Sequence, residues 1–208
     1  MRIRNIKNAN EIIKDNKYII EKPEGYKGHY NDVFGNDKEI HLEIGMGKGD
    51  FIISKARNNP DINFIGLEKY TSIVARAVKK LEHEDLPNLK IINGDALNLN
   101  NIFSKEISTI YLNFSDPWPK ARHSKRRLTS DIFLKIYDDI FKDKCVIFQK
   151  TDNTGLFESS IVSLTSYGYK IEDISLDLWS TDKFYEETEY ERKFKNNGVK
   201  INYLKATK

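Results

Sequence analysis

From Lys38 onward the chain alternates short runs of β-branched and aliphatic residues with stretches of helical periodicity, and each run closes on polar residues. Glu39-Ile40-His41-Leu42-Glu43-Ile44 reads as a strand leading into Gly45-Met46-Gly47-Lys48-Gly49-Asp50. Phe51, Ile52 and Ala56 then begin a helix that Asn59-Pro60 stops. Asn63 to Glu68 is a second strand, followed by Ile73, Val74, Ala77, Val78 and Leu81, the apolar stripe of an amphipathic helix. Leu89 to Ile92 leads into Asn93-Gly94-Asp95-Ala96 as a third strand, and Ile110 to Ser115 is a fourth that delivers Asp116. Ile132, Phe133, Ile136 and Ile140 mark the next helix, and Cys145 to Lys150 a fifth strand ending at Thr151-Asp152. Asn153 has the character of a helix cap, with Gly168 suited to the left-handed position after that helix. Tyr169–Leu178 and Val199–Ala206 read as two final strands. The long polar connection between them is expected to be functional or partly helical.

Strict alternation of strand and helix predicts a doubly wound α/β fold, a mostly parallel sheet of about seven strands in the Rossmann-like class. Ligands in such sheets bind beyond the carboxyl ends of the strands. Glu43, Glu68, Asp95, Asp116 and Asp152 all fall at or near those ends, so the topology should gather five carboxylates on one rim. Residues 1 to 37 lack a sustained period and carry turn signals at Lys22-Pro23-Glu24-Gly25 and Gly35-Asn36-Asp37. They read as an N-terminal arm packed on or beside the single domain of residues 38–208, with Tyr18, Tyr26, His29, Tyr30 and Phe34 better suited to packing than to stacking on bases.

A net charge of +3 does not by itself announce nucleic acid. Local cation density matters more, and Asp116-Pro117-Trp118-Pro119-Lys120-Ala121-Arg122-His123-Ser124-Lys125-Arg126-Arg127 sets one acid beside five cations. The lone Cys145 excludes an intramolecular disulfide and fits a reducing, cytoplasmic setting. The four histidines have no metal-ligand spacing, so no metal is expected. The N-terminus lacks the apolar run of a signal peptide or membrane span.

The glycine turn admits close backbone approach to a ligand without naming it. Gly45, Gly47 and Gly49 form G-x-G-x-G, and the dinucleotide fingerprint would require a small residue where Asp50 stands. Glu43 and Asp50 beside the turn would repel a pyrophosphate, whereas S-adenosyl-L-methionine carries a sulfonium and an ammonium and no phosphate. Glu68 is placed to accept from both ribose hydroxyls, and Asp95 from the adenine amino group, with Ala96 leaving room for the ring. An NAD-dependent dehydrogenase is disfavoured by Asp50 and by the lack of a second nucleotide half. A methyltransferase for a small molecule or protein, and a non-catalytic RNA-binding subunit, remain alternatives at this point.

With Leu42–Gly49, Gly66-Leu67-Glu68, Asn113–Lys120 and Arg122–Arg127 in view, the chain resembles the bacterial tRNA (guanine-N7)-methyltransferase family, the TrmB type, from about Tyr26 to the C-terminus. The resemblance implies a class I methyltransferase that moves a methyl group from S-adenosyl-L-methionine to N7 of a variable-loop guanine in tRNA, as a monomer or homodimer. It implies donor contacts at Glu43, Glu68, Asp95 and Asp116, with Asp116 also the catalytic position. Substrate contacts are implied at Lys120, Asp152 and Thr188-Glu189-Tyr190-Glu191, and RNA contacts along Arg122, His123, Lys125, Arg126 and Arg127. Asp152, Glu189 and Glu191 are candidates to accept from guanine N1–H and its amino group. Guanine N7 has an in-plane lone pair and no proton, so Asp116 is expected to orient and not to abstract a proton.

Overall fold

A computed structural model of the chain describes residues 6–181, 188, 191 and 198–208. Seven strands form one sheet: β1 (Ile40–Ile44), β2 (Asn63–Glu68), β3 (Leu89–Asn93), β4 (Ile107–Asn113), β5 (Phe141–Thr151), β6 (Lys170–Ser175) and β7 (Asn202–Thr207). Their order is β3-β2-β1-β4-β5-β7-β6, with β7 antiparallel to both neighbours and the other pairings parallel. Every residue of β1 and β2 is buried, as expected of parallel strands covered on both faces. The chain reverses its direction of winding between β1 and β4, the switch point at which such sheets open a crevice.

The helices are α1 (Ala9–Ile13), α2 (Tyr30–Phe34), α3 (Asp50–Asn58), α4 (Thr71–Lys80), α5 (Leu99–Ile102), α6 (Asp131–Ile140) and α7 (Thr154–Ser166). Phe51, Ile52, Val74, Ala77 and Val78 bring α3 and α4 onto one face of the sheet, over Phe64, Leu89 and Ile91. Phe133, Tyr137, Phe157 and Leu164 bring α6 and α7 onto the other, over Leu42, Ile110, Ile147 and Leu204. Asn153 caps α7 as its sequence suggests, its side chain accepting from the Leu156 N–H at 2.8 Å, and Gly168 follows the helix at φ +99°.

Several boundaries differ from the sequence reading. β4 begins at Ile107 and stops at Asn113, because Phe114 turns into the left-handed region at φ +51° and takes Ser115 out of the strand. β5 starts at Phe141, directly after α6, because Phe141 pairs with Ile107 before a register shift exposes the residues that follow. The last two strands are shorter than their apolar runs. Ahead of β1, α1 and α2 are five-residue helices, too short to show a period. Tyr18 and Tyr30 are buried, Tyr30 against Phe103 with ring centroids 4.5 Å apart. Ile19 makes a parallel bridge to Ile91, which lays the chain along the outer edge of β3. Among the described residues no helix is long and apolar enough to cross a membrane, and no group of three His, Cys, Asp or Glu stands ready for a metal ion.

Candidate active site and RNA-binding rim

Because β3, β2, β1, β4 and β5 are adjacent and parallel, the chain that follows each of them emerges on the same rim. A cleft of about 910 Å³ opens there. Gly45, Gly47, Glu68, Asp95, Ala96 and Asp116 line one part of it, and Trp118, Lys125 and Arg126 another. Six of the expected donor-site residues and two of the expected RNA-contacting cations therefore face one space. Glu43, Gly49, Lys120, Arg122, His123, Arg127, Asp152, Thr188 and Glu191 lie outside its lining, and Glu189 and Tyr190 lie outside the described residues.

The turn after β1 owes its shape to Gly45, Gly47 and Gly49, at φ +77°, +57° and +79°. A Cβ at Gly45 or Gly47 would meet nothing within 4 Å, so glycine is needed there for backbone conformation and not for space. The Gly47 N–H donates to Glu68 Oε2 at 3.1 Å, and the Tyr70 N–H to Glu68 Oε1 at 2.9 Å. A carboxylate offers about four acceptor positions, so Glu68 keeps capacity for ligand hydroxyls. Burial pushes the Glu68 carboxyl up, against those backbone N–H groups, and the nearby Asp116 adds repulsion. Asp95 accepts from the Leu97 N–H at 3.0 Å and pairs with Lys69 at 2.7 Å. Burial would raise its pKa, but these partners outweigh that and the net direction is downward.

Glu43 is 2% exposed. Its Oε1 accepts from Asn113 Nδ2 at 2.8 Å, while its Oε2 is buried without a hydrogen-bond partner among the described residues. Burial is the main cause that pushes its carboxyl up to about 7, the Asn113 hydrogen bond and Lys150 pulling the other way. Asp50 pairs with Lys80. These two facts weaken the electrostatic contrast drawn from sequence: one acid beside the turn keeps its proton in part near neutral pH and the other is compensated. Exclusion of a pyrophosphate rests more on the spacing of the glycines than on charge.

Asp116 is exposed at the cleft mouth, at the head of a loop that turns through Pro117, Trp118 and Pro119 into a 3₁₀ helix over Ala121–Arg126. Trp118 adopts φ +41°. Arg126 lies 4.8 Å from the centroid of the Trp118 ring, and the His123 ring meets it edge-on at 5.7 Å. His123 is thus engaged with an aromatic ring beside the cleft. Ser115 Oγ is buried and has no hydrogen-bond partner among the described residues where the chain enters this loop.

At the end of β5 sits a residue that sequence reasoning passed over. Lys150 is 5% exposed and pairs with fully buried Glu191, Nζ standing 3.3 Å from Oε1. The Thr188 N–H donates to Glu191 Oε2 at 2.7 Å and the Glu191 N–H to Thr188 Oγ1 at 3.1 Å, a reciprocal capping box. The T-x-x-E spacing is its signature and was open to that reading from the sequence. Glu191 and Thr188 hold each other and the end of β5, while Asp152, one residue beyond Thr151, is exposed.

The arrangement can hold a cationic, ribose-bearing ligand on carboxylates and backbone N–H groups, and beside it an anionic partner on arginine and lysine. Comparison with known proteins agrees with that chemistry. Residues 37–204 match a family model described as a putative methyltransferase. The chain is 48% identical over 212 residues to a tRNA (guanine-N(7)-)-methyltransferase of Lachnoclostridium phytofermentans, covering 99% of this chain and 98% of that one. It is 46% identical over 211 residues to the enzyme of the same name from Bacillus cytotoxicus, covering 99% and 96%. Among solved structures, an antibiotic-related methyltransferase superposes with a TM-score of 0.67 at 18% identity, over 93% of this chain and 97% of that one, a likeness of fold. On sequence, coverage and fold together, the chain belongs to the tRNA (guanine-N(7)-)-methyltransferase family.

Proposed function

We propose that the strand-end carboxylates hold S-adenosyl-L-methionine, that the Lys120–Arg127 segment holds tRNA, and that the enzyme so assembled methylates N7 of a guanine in the variable loop. The observation that carries this reading is the single cleft lined by the glycine turn, Glu68 and Asp95 on one side and by Trp118, Lys125 and Arg126 on the other. The fit to the donor rests on the three left-handed glycines, on the spare acceptor positions of Glu68, and on the buried Glu43 Oε2 and Ser115 Oγ, which have no hydrogen-bond partner among the described residues. When bound, S-adenosyl-L-methionine supplies an electrophilic methyl group on a sulfonium.

The chain's own residues then have little covalent work. Guanine N7 is unprotonated at neutral pH, so no side chain has to remove a proton before attack. Catalysis rests on holding the two reactants in line, a contribution worth several kcal/mol when the geometry is a near-attack one, about 7–11 at best. Asp116, at the mouth between donor acids and Trp118, orients the base and faces the positive charge that develops on its ring. Lys120, Arg122, Lys125 and Arg126 are exposed and suited to phosphates, so binding should weaken steeply with salt. Thr188, Glu191 and Asp152 border the substrate side, Thr188 and Glu191 as a clamp fixed on Lys150. Residues 1–37 serve as an arm on the catalytic domain of residues 38–208, and the cytoplasm is the setting that tRNA and a lone thiol suit.

The test is methyl transfer from radiolabelled donor to unmodified tRNA followed by nucleoside analysis. Formation of 7-methylguanosine is expected, and its absence with an active, donor-binding preparation refutes the reading. Asp116→Asn should lower turnover about 10²-fold, the cost of a small misplacement of reacting groups, with donor and tRNA binding retained. Wild-type turnover in that variant would remove Asp116 from its role.

A further inference from the structure

Arg127 ends the basic segment, and its neighbours Lys120, Arg122, Lys125 and Arg126 are exposed while it is half-buried. Its guanidinium points back into the protein. Nε donates to the Pro117 carbonyl and Nη2 to the Trp118 carbonyl, each at 3.1 Å. Two parallel N–H groups on one edge of the planar fork therefore hold two consecutive carbonyls of the loop that starts at Asp116. Among the described residues these are the only hydrogen bonds to those carbonyls.

That loop cannot hold itself. Pro117 and Pro119 have no N–H to give, so two of the three backbone donors between Asp116 and Lys120 are missing. The approach to it and its centre are also strained: Phe114 and Trp118, both bulky, stand at φ +51° and +41°. Such conformations persist only where the surroundings over-determine them. The Phe114 N–H, bonded to the Lys150 carbonyl at 2.9 Å, fixes one end. Arg127 fixes the other, and Arg126 covers the Trp118 ring between them.

We infer that Arg127 is a positioning residue and not a phosphate contact: its guanidinium staples the Pro117-Trp118 backbone, so that Asp116 and the Trp118 ring stand correctly at the cleft mouth. Phosphate binding is left to the exposed cations before it. The inference rests on the proposed methyl transfer for its kinetic consequence, but not for its structural one.

Lysine separates the two roles, because it keeps the charge a phosphate would need and lacks the planar fork that spans two carbonyls. Arg127→Lys should lower kcat on unmodified tRNA about 10²-fold, change KM for tRNA less than about threefold and leave the salt dependence of tRNA binding unchanged. The double variant Arg122→Gln/Lys125→Gln should instead raise KM and make the slope of log affinity against log salt shallower by about 2, roughly 1 for each phosphate no longer neutralised. Normal kcat in Arg127→Lys overturns the inference, as does a flattened salt slope with retained kcat in Arg127→Gln. If the glutamine variant does not fold, the lysine variant decides alone. A readout free of activity uses a Trp179→Phe background, in which Trp118 is the sole tryptophan. Arg127→Lys should then increase acrylamide quenching of Trp118, and unchanged quenching overturns the staple. If the wild type transferred no methyl group to tRNA, the proposed function would fail while the quenching comparison still judged the staple.

Discussion

Glutamine in place of Glu43 should stabilise the donor-free protein at neutral and alkaline pH and leave it nearly unchanged at pH 4. Glu43 is enclosed, its Oε1 accepts from Asn113, and its Oε2 has no hydrogen-bond partner among the described residues, so ionisation inside the fold is opposed by lost hydration. Lys150 eases that cost, while Glu68 and Asp50 add to it. The carboxyl is pushed from its ordinary 4.5 up to about 7. Below about pH 4.5 folded and unfolded chains both hold the proton, and the residue contributes no pH dependence. Between there and about pH 7 the unfolded chain has released it and the folded chain has not, so stability falls as pH rises. Above pH 7 the whole penalty is present, about 3 kcal/mol at about 1.36 kcal/mol per pH unit. Glutamine keeps an acceptor for Asn113 and never ionises. Urea unfolding of both proteins at intervals from pH 4 to 8.5 gives the difference directly, free of the other titrating groups that the two share. The variant should gain about 3 kcal/mol on the wild type across that range, most of it between pH 5 and 7. Parallel stability profiles would show that Glu43 titrates normally and that water reaches it.

Three other substitutions probe separate parts of the site. Lys150→Met leaves Glu191 buried without its cation and should cost about 3–5 kcal/mol in denaturant unfolding; the double variant Lys150→Met/Glu191→Gln should recover much of that loss, and no recovery would mean that the pair does not act as a unit. Gly47→Ala should lower stability by about 1–2 kcal/mol through its left-handed backbone alone, and calorimetry should show weaker donor binding as the turn shifts. Asn153→Ala removes the cap of α7 and should cost about 1 kcal/mol, with methyl transfer unaffected at a temperature where the variant is folded.

The features legible in the sequence are those that follow from period and topology. The apolar runs and the stripes of α3, α4 and α6 gave the order of elements, and parallel pairing then put the residues after Glu43, Glu68, Asn93, Asn113 and Thr151 on one rim. What was not legible depends on partners far away in the chain. The charge of Asp50 is offset by Lys80, thirty positions on in the numbering, and nothing local announces it. Lys150 at the end of an apolar run looks like a strand end reaching water, and only the return of Glu191 makes it a buried ion pair. Arg127 is chemically indistinguishable from Arg126 in a basic run. One stacks on Trp118 and the other turns inward because Arg126 closes the 3₁₀ helix while Arg127, just past it, has extended backbone. The left-handed Phe114 is likewise silent in sequence, since neither its size nor its neighbours favour that conformation.

The bridge from Ile19 to Ile91 has a consequence for solubility. β3 is the outermost strand of its side of the sheet, and Leu89-Lys90-Ile91-Ile92 is a short, strongly β-prone run. Left open, its free N–H and C=O groups would invite another chain to add a strand. The Ile91 N–H instead donates to the Tyr18 carbonyl at 2.7 Å, and the Ile91 carbonyl accepts from the Ile20 N–H at 2.9 Å. Tyr18 Oη, bonded to the Glu84 carbonyl at 2.6 Å, clips this cover in place. A protein shortened to begin after Ile20 would keep the whole cleft yet present a bare sheet edge, so it should self-associate at concentrations where the full chain stays dispersed.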